Sequence, residues 1–288
     1  MNLKEVKQRI ASVTNTRKIT SAMKLVSAAK LRKAQAAIES MLPYQSKLSE
    51  IMAGFLANDT EVETPYTAVR DVKRVALFVV SSNTSLCGGF NANVIRHLKS
   101  VIEEYKGLGQ ENILIYPVGR KVTEAVKKMK ITPAEDLSNL ATHHAYRDAA
   151  ALGARLMQLF ATQQVDKVEL IYNHFKSSSV QVLTRTTFLP IDLTAAQPSK
   201  KEGILTDYIV EPSLERVLEE LIPKVLCLQL FTAVIDSAAA EQGARVMAMQ
   251  IATDNADDLI TDLTREYNKG RQQAITSELL DIASGSLE

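Results

Sequence analysis

Tryptophan is absent from this 288-residue chain, and aromatic residues make up only 5% of it. So thin an aromatic supply argues against a β-sandwich and suits long helices. Cysteine is scarce too. Cys87 and Cys227 lie far apart, match no metal or redox spacing and sit among apolar neighbours, so both are predicted to be buried thiols in a reducing compartment. The N-terminus carries no apolar core of the signal-peptide kind, and no apolar run approaches the roughly 20 residues a membrane span needs. The expectation is a soluble or peripheral protein. What the chain has instead is ordinary in bulk, 46% apolar and 23% charged residues, with a formal net charge of +1.

That charge is unevenly spread. Residues 1–33 hold nine Lys and Arg against the single acid Glu5, and the rest of the chain sums to −7. A basic arm on a mildly acidic body points to an anionic partner, whether nucleic acid, membrane or an acidic protein surface.

Proline and glycine are nearly missing at both ends. From Leu3 to about Leu56 the sequence contains Pro43 and Gly54 alone, and reads as one helix with a kink expected near Pro43. After Pro223 only Gly243, Gly270 and Gly285 interrupt a helical pattern. Helices of roughly 80 Å and 90–100 Å are implied at about 1.5 Å per residue. Neither is stable alone in water, so they must bury something against each other. Ala252, Leu259, Leu263, Tyr267, Ile275, Leu279 and Ile282 step by threes and fours as a seam should, and Ala22, Ala28, Ala29, Ser237–Ala240 and Gly243-Ala244 would permit close approach of the axes.

Between the helices, strand and helix patterns alternate. "RVALFVVSS" and "ENILIYPVG" read as buried parallel strands, each followed by an amphipathic helix; a third helix then leads into "KVELIYNHF" and "SVQVLTRTTFLPI", a strand pair. The fold class predicted is an α/β central domain, with a mainly parallel, Rossmann-like sheet, plus a long antiparallel α-helical coiled coil formed by the N- and C-terminal helices. The divisions are a coiled-coil helix over 1–57, a linker over 58–72, the α/β domain over 73–192, a connection over 193–210 and the second coiled-coil helix over 211–288.

The stretch "TRKITSAMKLVSAAKLRKAQ" (Thr16–Gln35) holds six basic residues and no acid. On a wheel at 100° per residue, Ile19, Ala22, Met23, Val26, Ala29 and Ala34 fall on one side as the expected seam. Arg17, Lys18, Lys24 and Arg32 fall on the other, with Leu25 and Leu31 at its edges. Two readings of that charged face stand open. It is a solvated surface with two exposed leucines, or it makes shallow contact with something both acidic and apolar.

Other motifs carry less. "SLCGGFN" joins a strand to a helix, where phosphate loops sit, but lacks a dinucleotide fingerprint and a P-loop Lys-Ser/Thr pair, so a tight turn is expected. His143 and His144 are adjacent and point apart, which disfavours a metal site. Met247 and Met249 are read as packing residues. A nucleic-acid binder would explain the basic arm, and a nucleotide-dependent enzyme the α/β domain, but neither explains two abnormally long helices at opposite ends.

Several stretches together resemble one known family. "IASVTNTRKITSAMKLVSAAKLRKAQ" is similar, nearly position for position, to the N-terminal helix of the γ subunit of F-type ATP synthases. "VVSSNTSLCGGFNANV" (Val79–Val94), "DYIVEPS" (Asp207–Ser213), "GARVMAMQIATDNA" (Gly243–Ala256) and "YNKGRQQAITSELLDIASGS" (Tyr267–Ser286) resemble further family elements, in the family's order. Ser286 stands where the family usually has Ala, and the regulatory cysteine loop of chloroplast forms is absent, as in bacterial-type members.

The resemblance implies a rotating central shaft that couples ion-driven rotation of the membrane c ring to conformational cycling of the catalytic β subunits. The chain itself would be no enzyme, with no catalytic, cofactor-binding or metal-ligating residue and no nucleic-acid partner. Implied partners are the α and β subunits of an α3β3 hexamer, the ε subunit and the c ring, on the cytoplasmic face of a bacterial inner membrane. By the same resemblance Met23, Lys24, Arg271, Gln272, Thr276 and Glu278 would contact β, and Tyr208 and Glu211 the c ring and ε at the foot.

Overall fold

A computed structural model describes residues 3–58, 64–191, 210–211 and 213–285. It divides into two compact units, one formed by residues 1–28 with 245–288 and the other by residues 29–244.

The larger unit is built on a four-stranded sheet. Strands β1 (Val75–Val80), β2 (Ile113–Val118), β3 (Lys167–Phe175) and β4 (Gln181–Leu189) lie in the order β2-β1-β3-β4. β1 pairs parallel with β2 and β3, and β4 returns antiparallel to β3. Every residue of β1, VALFVV, is buried, as expected of a parallel strand covered on both faces.

Alternation along β1 distributes its side chains to two layers. Val75, Leu77 and Val79 meet Val94, Leu98 and Val101 of α2 (Phe90–Glu104) and Val122 and Val126 of α3 (Arg120–Lys128). Ala76, Phe78 and Val80 face the opposite layer, with Leu152, Leu156 and Phe160 of α5 (Tyr146–Ala161). A short α4 (Leu140–His143) precedes α5. The same layer receives the start of α6 (Leu214–Gly285) through Leu218, Ile222, Leu226 and Leu230, and the end of α1 (Leu3–Asn58) through Met52.

The mixed sheet with long terminal helices packed together is the architecture read from the sequence. The continuous span of α6 corrects one expectation. One stretch of it is long and apolar enough to cross a membrane by composition, yet 72% of that stretch is buried inside the protein. The apolar residues are spent on the sheet. Helix α1 runs unbroken through Pro43, and α6 through Pro223.

The small residues of α6 also act differently from the sequence reading. Ala240 and Ala244 pack against Phe175, Cys87 and Phe90 of the α/β layer. Neither Cys87 nor Cys227 forms a disulfide, and both are buried.

On the α2 side, Glu169 is buried and carries a dense set of partners. Its carboxylate accepts from Tyr105 Oη at 2.9 Å and from Arg185 Nε at 2.8 Å, and lies 2.8 Å from Lys167 Nζ. Arg185 also reaches Glu104 at 2.6 Å. Burial pushes the Glu169 carboxyl up, but the hydrogen bonds from Arg185, Lys167 and Tyr105 outweigh it and hold the group below its ordinary value.

Candidate functional site

The unit formed by the chain ends is a helix pair. Three contacts fix how the two helices meet. Arg17 Nη1 bonds Asp257 Oδ1 at 2.7 Å, the hydroxyls of Thr20 and Thr253 lie 2.8 Å apart, and Lys24 Nζ donates to Gln250 Oε1 at 2.8 Å. The residue numbers of each pair add to 273 or 274, so the helices run antiparallel in a single register.

The seam repeats every 3.5 residues, the heptad period of a coiled coil. On α1 it runs through Val6, Ile10, Val13, Arg17, Thr20, Lys24 and Ser27, and on α6 through Met249, Thr253, Ala256, Ile260, Leu263, Tyr267, Gly270 and Ala274, all buried or half-buried. Its middle is polar. That is why the sequence placed the N-terminal seam wrongly: Ile19, Ala22, Val26 and Ala29 are exposed, whereas Arg17 and Lys24 face the partner helix. Leu31, expected at an exposed edge, is 7% exposed, while Leu25 is 66% exposed. On α6, Leu263 and Tyr267 lie on the seam as read, but Leu259, Ile275, Leu279 and Ile282 do not.

Outward from the seam, α1 presents Lys18, Ile19, Ala22, Leu25 and Val26, a mixture of charge and modest apolar surface. Met23 is half-buried beside Lys24.

The register also defines a tip. It places Leu3 opposite Gly270 or Arg271, so α6 from Gln272 to Gly285 has no α1 residue opposite it among the described residues. Arg271, Gln272, Thr276 and Glu278 are all exposed there. At the pitch of an α-helix Arg271 and Glu278 share one stripe and Gln272 and Thr276 another. Ile275, Leu279 and Ile282, all exposed, lie between the two. The sequence reading puts these three on the seam; the structure leaves them as an exposed apolar stripe. Before the start of α6, Glu211 is exposed, and Tyr208 lies outside the described residues.

The loop after β1 is tied to the helices around it. Ser82 N donates to Asn91 Oδ1 at 3.1 Å, Asn83 Nδ2 donates to Thr142 Oγ1 at 2.7 Å, and Asn83 Oδ1 accepts from Arg120 N at 2.9 Å. Leu86 and Gly88 take left-handed backbone conformations to make the bend. This is the tight strand-to-helix turn expected of "SLCGGFN".

The model of the ATP synthase family matches residues 2–287. An ATP synthase gamma chain of Phocaeicola vulgatus is 60% identical over 286 residues, covering 99% of both chains, and that of Bacteroides thetaiotaomicron is 55% identical over 296 residues, covering 100% of this chain and 99% of the relative. The chain belongs to the ATP synthase gamma-chain family. Solved rotors share the fold at lower identity. A chain of the Euglena gracilis mitochondrial ATP synthase, solved with OSCP, F1 and c-ring, aligns with a TM-score of 0.64 at 19% identity, covering 98% of this chain and 92% of its own. A chain of the Tetrahymena thermophila central stalk and c-ring aligns at 0.57 with 23% identity, covering 81% and 99% respectively.

Sequence reasoning missed the Arg17–Asp257, Thr20–Thr253 and Lys24–Gln250 layers because they are polar. A heptad scan that admitted polar residues at seam positions would have found them.

Proposed function

We propose that the chain is the central rotating shaft of an ATP synthase, coupling ion-driven rotation of a c ring to conformational cycling of the catalytic β subunits. The observation that carries this reading is the antiparallel pairing of the terminal helices in a gamma-chain family member. A shaft turning inside a sleeve cannot use deep interlocking side chains, because each would be a barrier recurring in every orientation. Short side chains and mobile Lys and Arg heads make contacts that are weak, about 0–1 kcal/mol for an exposed ion pair, and easily re-formed.

In this reading the chain works inside a membrane-associated complex, peripherally on the cytoplasmic face of the bacterial inner membrane, with α, β, ε and the c ring as partners. Catalysis belongs to β, and this chain needs no cofactor of its own. Met23 and the basic face around Lys24 meet an acidic, partly apolar loop of β, and Arg271, Gln272, Thr276 and Glu278 engage β near the tip. Tyr208 and Glu211 serve the foot. The exposed position of the four tip residues supports their assignment; for Lys24, the bond to Gln250 means that its ammonium is shared between the helix pair and the partner.

The test is assembly. Mixed with cognate α and β, the chain is expected to co-elute as one copy with three of each, and ATP hydrolysis to depend on it. Separate elution would overturn the reading.

A further inference from the structure

Load on the α/β domain must reach α6, and the structure holds a specific contact suited to carry it. Asp236 of α6 is buried, and its carboxylate is held at two points by the end of β3. Oδ1 accepts the backbone N–H of Phe175 at 2.8 Å, and Oδ2 lies 2.7 Å from His174 Nδ1. One and two turns further along the same face of α6, Ala240 and Gly243 form a notch that takes the Phe175 ring. A Cβ on Gly243 would stand 2.9 Å from Phe175 Cε2 and 3.3 Å from Ser178 Cα, so the fit leaves no room for a larger residue.

Most of the contact between α6 and the sheet is apolar. Such contact is non-directional and opposes separation far more than sliding. A buried carboxylate bonded at two points is directional, and resists both sliding along α6 and turning about it. The ring seated in its notch adds a steric stop.

We infer that His174, Phe175 and Asp236 form the joint that locks the α/β domain to α6 against torque, so that they are positioning residues for rotary coupling. This inference rests on the shaft reading above.

The test uses the assembled membrane enzyme carrying Asp236→Ala, with Asp236→Asn as the conservative variant, which keeps an oxygen for the Phe175 N–H. Two quantities are read: hydrogen exchange at the Phe175 amide, and ions pumped per ATP hydrolysed in inverted vesicles. Loss of a charge-assisted contact should speed local opening roughly tenfold or more. The expected result is faster exchange, a lower pumping ratio with ATP hydrolysis retained, and recovery of both toward wild type in Asp236→Asn. Unchanged exchange would overturn the joint, and faster exchange with an unchanged pumping ratio would remove it from the torque path. If Asp236→Ala fails to assemble, His174→Ala, which removes one of the two contact points from a largely exposed side chain, decides: faster exchange at the Phe175 amide with a lower pumping ratio supports the joint, and wild-type values of both contradict it. Failure of the wild-type complex to couple at all would instead overturn the shaft reading.

Discussion

Thr20 and Thr253 meet hydroxyl to hydroxyl, 2.8 Å apart, in the middle of the antiparallel helix pair. Each hydroxyl also lies within bonding distance of a carbonyl of its own helix, Arg17 O for Thr20 and Met249 O for Thr253. With one proton each, one hydroxyl donates across the seam while the other donates to its own helix, and either can turn back to its own carbonyl. Removing one hydroxyl leaves the other with a partner, so Thr20→Val should cost about 1 kcal/mol or less, and Thr20→Val with Thr253→Val should be close to neutral. Urea midpoints of the two variants check this. A single-variant loss of several kcal/mol would mean that the layer depends on the pair itself.

Glu169 is bound into the α/β domain by Tyr105, Lys167 and Arg185. Glu169→Gln removes the anion that Arg185 and Lys167 share and is expected to cost about 2–3 kcal/mol, less than a fully buried pair because Arg185 and Lys167 remain partly exposed. Its carboxyl titrates below the unfolded value of about 4.3. The stabilisation is thus fully present above that value and is lost as pH falls through the folded one. Wild-type stability should drop steeply below about pH 4 and the variant's less so, as read by urea unfolding across a pH series.

His144 sits half-buried in a left-handed conformation after α4. Burial lowers its pKa, with His143, Lys30 and Lys33 adding repulsion. The unfolded chain then takes up this proton first as pH falls below about 6.5, and stability declines. His144→Asn keeps a residue that tolerates the left-handed backbone. It should flatten the pH dependence of the melting temperature in that window.

Gly119 links β2 to α3 at φ +94°, with a Cβ position 2.3 Å from the carbonyl oxygen of Ser81. Gly119→Ala meets both strain and collision with backbone, and should destabilise by roughly 3 kcal/mol or more. Thermal unfolding measures it. A shift of a degree or two would mean that the β1 and β2 ends can separate cheaply.

Much of this was legible in the chain. The β-branched runs at Val75–Val80 and Ile113–Val118 mark strands because buried parallel strands need such residues, and the lack of Gly and Pro marks the long helices. Strand order was not legible, since nothing local in "RVALFVVSS" says that it lies between β2 and β3. The N-terminal seam was misread for a physical reason as well. Apolarity marks a seam that is dry, and here Arg17, Thr20, Lys24 and Ser27 occupy seam positions while Ile19 and Val26 face outward. Burial in a coiled coil follows the period of 3.5 residues, and polar layers keep that period without announcing it. The apolar tip stripe of Ile275, Leu279 and Ile282 was mistaken for more seam, because only the register reveals that none of the described α1 residues lies opposite.

The central claim is rotation, and single-molecule observation tests it most directly. A cysteine placed at exposed Lys128 on α3 would carry a bead, the native Cys87 and Cys227 being buried. With α3β3 fixed to a surface and ATP supplied, the account predicts sustained turning of the bead in one direction, stopping when ATP is withdrawn. ATP hydrolysis at full rate with the bead stationary would contradict it.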